Sequence, residues 1–413
     1  MENLDRMIDD FTHPTTGSLH GAAFIAVDNH GHIIYQRAAG RAGSAPDDAS
    51  PLKLDSLYWI ASLTKLVTAV ATVQLVERGN LTLDEDVRDK VQELRDARVL
   101  CSMKRDSVGS AQPEFQAVRG KLTLRNMLSH AAGFGYDSSS PLLQEWSKSQ
   151  GRTAHTFKGS MDGYRHPLIY QPGKSWEYGA GVEWAGQLIE RVTASTLEEY
   201  MQTNIWSRLG ATSTTFHPEL RPDTLPPQMQ MGERVSVGQG NESIKPGKVI
   251  LGYPLKDDIG GIGLFSTPMD FIKLLSALVQ GGGPLLSKES VDLLFAPQLS
   301  DESRMAMSKA LGKQMRRVLG IHSMDDAEQA DHSLGGPVTL KDIPDRRRRG
   351  TVSWGGLPNL HWWVDRETGV AAALFTQLMP PADAVVTDLL IEPEKALYRI
   401  IDRARKSAGE PKL

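Results

Sequence analysis

From Ala22 to Gly40 the chain reads AAFIAVDNHGHIIYQRAAG, two apolar runs on either side of Asn29-His30-Gly31. Asn and Gly tolerate the positive φ angles that a tight hairpin turn needs, so this pattern predicts two antiparallel strands. The pattern returns near the other end in NLHWWVDRETGVAAALFTQL, Asn359 to Leu378, around a turn at Arg366 to Gly369. Trp362 and Trp363 point to opposite faces of that strand, which sends one of them into the core. The stretch PPADAVVTDLLIEPEKALYRIIDRARK follows, predicting a long amphipathic helix interrupted near Pro393. Between about 60 and 330 helical periods and long loops dominate. The clearest helix is in WIASLTKLVTAVATVQLVERG, Trp59 to Gly79. Leu63, Leu66, Val67, Val70, Val73 and Val76 fall mostly at helical spacing, which predicts one buried face, and Gly79 is its stop. Cys101–Lys121 and Arg221–Lys248 read as long polar loops. Gly281-Gly282-Gly283 precedes a proline and reads as a loop, not a phosphate cradle.

The simplest packing joins both hairpins in one antiparallel sheet covered by the terminal helices. The expected architecture is α/β, of the α+β kind. Residues 1–413 are expected to form one domain, with a sheet lobe from about 1–60 and 335–413 and a helical lobe of about 61–334. A cleft between lobes is a common ligand site.

Composition narrows the class. Forty-six basic residues against 50 acidic ones give a net charge of −4, dispersed along the chain, so no nucleic-acid surface is expected. The one basic run, Arg346 to Arg349, reads as a solvated loop or strand edge. A single cysteine, Cys101, excludes an internal disulfide. The acidic N-terminus MENLDRMIDDFTH lacks the apolar core of a signal peptide, and no apolar window is long enough to span a membrane. The expected location is the cytoplasm.

Two Ser-x-x-Lys pairs occur. Ser50 and Lys53 enclose Pro51 and read as loop. Ser62 and Lys65 stand at the start of the predicted helix, where residues three apart are neighbours. There the unpaired N–H groups and the positive dipole end suit a developing oxyanion. The same pattern also fits an N-cap serine and a solvated lysine. To act as a base near pH 7, a lysine must fall roughly three units below its reference pKa of about 10.4, worth about 4 kcal/mol. A neighbouring cation, burial or a phenol could supply that, and a second proton carrier is also needed. Tyr178, in PGKSWEYGAGVEWAGQLIERV, precedes a glycine and a helical period. Trp354-Gly355-Gly356-Leu357 opens a strand, and glycine lets a ligand approach strand backbone closely. His130 reads as a structural hydrogen-bonding residue. No Gly-x-Ser-x-Gly elbow and no zinc-ligand spacing is present.

Taken in order, Ser62-x-x-Lys65, Tyr178-Gly-Ala and Trp354-Gly-Gly-Leu357 resemble the three motifs of serine β-lactamases and penicillin-binding enzymes. The chain resembles the class C β-lactamase-like esterases and, within them, the transesterases that attach side chains to fungal polyketides, of the lovastatin acyltransferase type. The likeness runs from about Ala22 to Leu378. It includes GKLTLRNMLSHAAGF (Gly120–Phe134), GGIGLFSTP (Gly260–Pro268) and WGGLPN (Trp354–Asn359). It implies a β-lactamase-like fold with Ser62 as acylated nucleophile, Lys65 as its base and Tyr178 as proton shuttle. The N–H groups of Ser62 and Leu357 would form the oxyanion hole, with Trp354, Gly355 and Gly356 at the substrate and, by a looser alignment, Tyr253 at the acceptor pocket.

Three departures matter. Ala180 replaces the asparagine, and Trp354 the lysine, that lactam-hydrolysing members carry, which argues against lactam hydrolysis. Leu357 stands where the polyketide acyltransferases carry glycine. The resemblance implies a two-step transfer of an acyl group, without a cofactor or metal, from a thioester of coenzyme A or an acyl carrier protein to a hydroxyl of a small molecule in secondary metabolism. A carboxylesterase with the same site is the alternative. A β-lactamase, a D-aminopeptidase or a binding module without turnover fits less well. No nucleic-acid or membrane partner is implied.

Overall fold

The computed structural model describes residues 2–105, 111–238 and 241–407. The two terminal hairpins meet as expected. Strands β1 (Gly21–Asp28), β2 (Ile33–Gly40), β3 (Ala330–His332), β4 (Pro337–Thr339), β5 (Val352–Gly356), β6 (Leu360–Asp365) and β7 (Val370–Phe375) form one antiparallel sheet in the order β2-β1-β7-β6-β5-β4-β3. The seam between the chain's two ends is β1 on β7, in register from Ala23 opposite Phe375 to Asp28 opposite Val370. Gly31, at φ 84°, makes the turn between β1 and β2.

Both faces of this sheet are covered. Helices α1 (Glu2–Thr12) and α5 (Ala384–Ser407) pack Leu4, Ile8, Leu389 and Leu397 on the face that carries Phe24 and Trp363. Helices α2 (Thr64–Glu77) and α4 (Pro268–Val279) lie on the face that carries Ile25, Trp362 and Phe375. The expectation of one core-facing tryptophan is therefore corrected: both are buried, because the strand alternates between two cores. Helix α2 is corrected in the same way. Every residue from Thr64 to Leu75 is buried, since the helix is packed among α3 (Gly181–Thr193) and the helices Lys288–Phe295 and Leu197–Met201.

Three other expectations change. Helix α5 continues through Pro393, held by its buried apolar stripe. The two presumed loops are hairpins, Arg98–Arg105 with Ala111–Ala117 and Gly232–Gly238 with Asn241–Pro246; their turns at 106–110 and 239–240 lie outside the described residues. The Arg346–Arg349 run is not solvated at its first two members. Arg347 is fully buried over the Trp363 ring, and both Arg346 and Arg347 bond the buried carboxylate of Glu394 at 2.7–3.0 Å. Burial pushes Glu394 up, but the two guanidinium groups outweigh it and hold the carboxyl below its usual range. Removing one partner leaves a poorly compensated buried charge. Arg347→Met is therefore expected to cost about 3 kcal/mol, read as a lower midpoint in urea unfolding; an unmoved midpoint would show that this pair contributes nothing.

Candidate active site

The strand pair Tyr58–Trp59 and Phe265–Ser266 delivers the chain to Ser62. Ile60 N–H donates to Leu264 O at 3.0 Å and Trp59 Nε1–H to Ile262 O at 2.7 Å. This clamps the backbone into a single 3-10 turn, Ala61–Leu63, that runs directly into α2. Ala61 takes the left-handed conformation at φ 44°, which an L-residue adopts only where its surroundings enforce it. The turn places Ser62 at the edge of a cavity of about 190 Å³. Tyr178, Trp354, Gly355, Gly356 and Leu357 line the same cavity, so the three motifs separated in sequence meet there. Gly356 has to be glycine for this approach: a Cβ there would lie 2.7 Å from Ile60 O.

Tyr178 is oriented from three sides. Gly179 N–H donates to His130 Nδ1 at 3.2 Å, and the His130 ring lies 4.6 Å from the Tyr178 ring. Trp354 Nε1–H donates to the Tyr178 hydroxyl oxygen at 3.1 Å. Gly179 packs so tightly that a Cβ would sit 2.2 Å from Phe134 O. His130 thus takes the structural part expected of it. Burial, with the charges of His332 and Lys65, holds it well below the ordinary imidazole range, so it is neutral near pH 7.

Lys65, one turn after Ser62, is buried. Nζ donates to the Tyr136 hydroxyl oxygen and to Gly261 O, both at 2.9 Å, and lies 4.9 Å from the Tyr178 ring centre. Tyr136 in turn donates to Glu183 Oε1 at 2.5 Å, and that oxygen is 3.6 Å from Nζ. Burial and the Glu183 charge push the Tyr136 hydroxyl well above its ordinary pKa, so it keeps its proton.

Tyr136, Glu183 and Gly261 are absent from the residues singled out in the sequence. Glu183 does leave a trace there, as the one charge in the apolar run GAGVEWAGQLI. Tyr253 is not among the residues lining the cavity. Its hydroxyl donates to Phe216 O at 2.6 Å, and its ring packs on Phe265. Ser50 and Lys53 are exposed in a loop, as expected. Among the described residues no group of His, Cys, Asp and Glu is arranged to hold a metal ion, and no helix is long and apolar enough to cross a membrane.

The Beta-lactamase family profile matches residues 4–393. The chain belongs to that family. Among curated members, a lovastatin esterase from Penicillium rubens is 31% identical over 93% of this chain and 95% of its own length. A monacolin J acid methylbutanoyltransferase from Aspergillus terreus is 34% identical, covering 92% and 91% of the two chains. A simvastatin synthase variant from Aspergillus terreus superposes with a TM-score of 0.85 at 32% identity, covering 97% of this chain and 95% of that one. The expected fold class, a β-lactamase-like fold with an antiparallel sheet flanked by helices, is met. Within this Beta-lactamase family member, the third motif contributes an indole where a lysine would hold a lactam carboxylate.

Proposed function

We propose that this chain is a serine acyltransferase that moves an acyl group from a thioester donor to a hydroxyl of a small polyketide-like acceptor. The observation that carries this reading is the meeting of Ser62, Tyr178 and Leu357 at one cavity, with Lys65 three residues on, in the helix into which the Ser62 turn runs. Ser62 Oγ attacks the thioester carbonyl, and its proton passes to Lys65. The N–H groups of Ser62 and Leu357 face the oxyanion, and Tyr178 returns a proton to the leaving sulfur. An acceptor hydroxyl then attacks the acyl-enzyme by the reverse path. Trp354 favours this chemistry over lactam hydrolysis, because an indole offers a lactam carboxylate no charge and its N–H is already given to Tyr178. The donor is a thioester of coenzyme A or of an acyl carrier protein, which places the reaction in the cytoplasm. The esterase among the relatives supports a second reading, in which water takes the acceptor's place.

Intact-protein mass spectrometry after mixing with a butanoyl thioester separates the two. The expected result is a butanoyl adduct that persists in buffer and disappears when an alcohol acceptor is added. An adduct that decays equally fast without the alcohol makes the protein a hydrolase.

A further inference from the structure

The acyl-transfer scheme leaves the buried carboxylate beside Lys65 without a task. Glu183 is fully enclosed, and its Oε2 has no hydrogen-bond partner among the described residues. Glu183 also dictates a neighbour: a Cβ at position 261 would lie 2.0 Å from Oε1, so only glycine leaves room for the carboxylate beside Lys65. Enclosing a carboxylate is costly, and an apolar side chain would fill the same space without that cost.

Counting donors shows what the carboxylate does. A neutral lysine amine has two N–H bonds and one lone pair, whereas an ammonium has three N–H bonds. Lys65 gives two hydrogen bonds, to Tyr136 Oη and to Gly261 O. In the amine these use both N–H bonds, and the lone pair is the one direction left. That count holds only while Tyr136 Oη accepts. A tyrosine hydroxyl is both donor and acceptor, and without another acceptor it would turn its hydrogen onto the amine and occupy the lone pair. Glu183 takes that hydrogen instead, at 2.5 Å.

The geometry points to Glu183 and Tyr136 as positioning residues: Glu183 fixes the direction of the Tyr136 O–H, Tyr136 fixes the two N–H bonds of Lys65, and the lone pair is left free for the proton of Ser62. This rests on the proposed reading of Lys65 as the base. It follows the general logic of a base oriented by a third group. As Ser62 Oγ bonds the acyl carbon, its proton forms a third N–H on Lys65. Glu183, 3.6 Å away, balances the new charge. When the intermediate collapses and the bond to the leaving sulfur breaks, that proton goes to the sulfur through Tyr178 and the amine is restored. Glu183 and Tyr136 exchange no proton in the cycle. The other groups around Nζ are the Tyr178 ring and neutral His130, and Tyr164 packs on Tyr136.

The test is the pH–rate profile of butanoyl transfer in wild type, Glu183→Ala, Glu183→Gln, Glu183→Asp, Tyr136→Phe and Lys65→Ala, each first checked for folding by circular dichroism. Glu183→Ala and Tyr136→Phe are expected to lower kcat by about 100-fold with KM little changed. Glu183→Asp is expected to recover part of that loss. Glu183→Gln keeps an acceptor for Tyr136 but removes the countercharge of the ammonium, so the acid limb of the profile is expected to move to lower pH. A purely structural role would reduce the yield of folded protein and leave the limb in place. Folded Glu183→Ala with a wild-type kcat overturns the inference. If that variant does not fold, an unmoved limb in Glu183→Gln overturns it instead. Lys65→Ala keeps the two levels apart. If it is inactive while the Glu183 and Tyr136 variants behave as wild type, only this inference fails. If it still acylates at the wild-type rate, the base assignment fails and takes this inference with it.

Discussion

Ser62→Ala is expected to carry no acyl group after exposure to a butanoyl thioester, and to turn over at least about 10⁵-fold more slowly than wild type. The substitution deletes one oxygen and nothing else. Among the described residues no hydrogen bond within the chain engages Ser62 Oγ, and the side chain is only 9% exposed, at the cavity wall. The fold therefore has no reason to respond, and the melting temperature is expected to stay within about 1 °C of wild type. Loss of turnover with an unchanged melting curve assigns the nucleophile. The control that matters is Cys101, an exposed free thiol that can exchange with a thioester directly. The mass measurement is therefore made in a Cys101→Ser background. An adduct that survives Ser62→Ala in that background places the nucleophile elsewhere and removes the basis of the proposed function.

The parts of the molecule that were legible in the sequence are those whose cause is local. The hairpin at Asn29-His30-Gly31 needs only turn chemistry, and the order of Ser62-x-x-Lys65, Tyr178-Gly and Trp354-Gly-Gly needs only motif recognition. Ser62, Tyr178, Trp354, Gly355 and Gly356 do converge on one cavity, and Lys65 stands three residues on from Ser62 in the adjoining helix. The errors share a different cause, which is partners far away in the chain. Arg346 and Arg347 look solvated until Glu394, nearly fifty residues on, is seen beneath them. Trp362 and Trp363 are both buried because a second layer of helices, drawn from the two ends of the chain, closes the outer face. The exposed hairpins at 98–117 and 232–246 read as loops because their side chains are largely polar and face solvent. The buried Lys65–Tyr136–Glu183 chain was invisible because it joins two helices and a loop far apart in the sequence, and none of its members has a meaning until the distances between them are known. Tyr253 rests on a loose alignment; the structure gives its hydroxyl to Phe216 O and packs its ring on Phe265.

Lys65→Ala is expected to lower turnover almost as far as Ser62→Ala, and the Ser62→Ala/Lys65→Ala double variant to be slower than either by less than about tenfold. A nucleophile and its base act as one unit: once either is gone, what remains is the binding and oxyanion stabilisation that both single variants still possess. Near-multiplicative losses in the double variant would mean that Lys65 serves some step other than activation of Ser62. Unlike the serine, this lysine is also structural, because Nζ stands 3.6 Å from a carboxylate that no water reaches. Deleting it leaves Tyr136 Oη and Gly261 O without their donor and Glu183 with Tyr136 alone, and stranding buried polar groups in this way costs about 1–3 kcal/mol. Turnover of Lys65→Ala must therefore be measured well below its own melting temperature. The stability loss has its own check. Adding Glu183→Gln removes the stranded charge, so Lys65→Ala/Glu183→Gln is expected to melt higher than Lys65→Ala while remaining inactive. Activity and stability then separate at one residue: the two hydrogen bonds that Nζ gives belong to the fold, and its free lone pair belongs to the reaction.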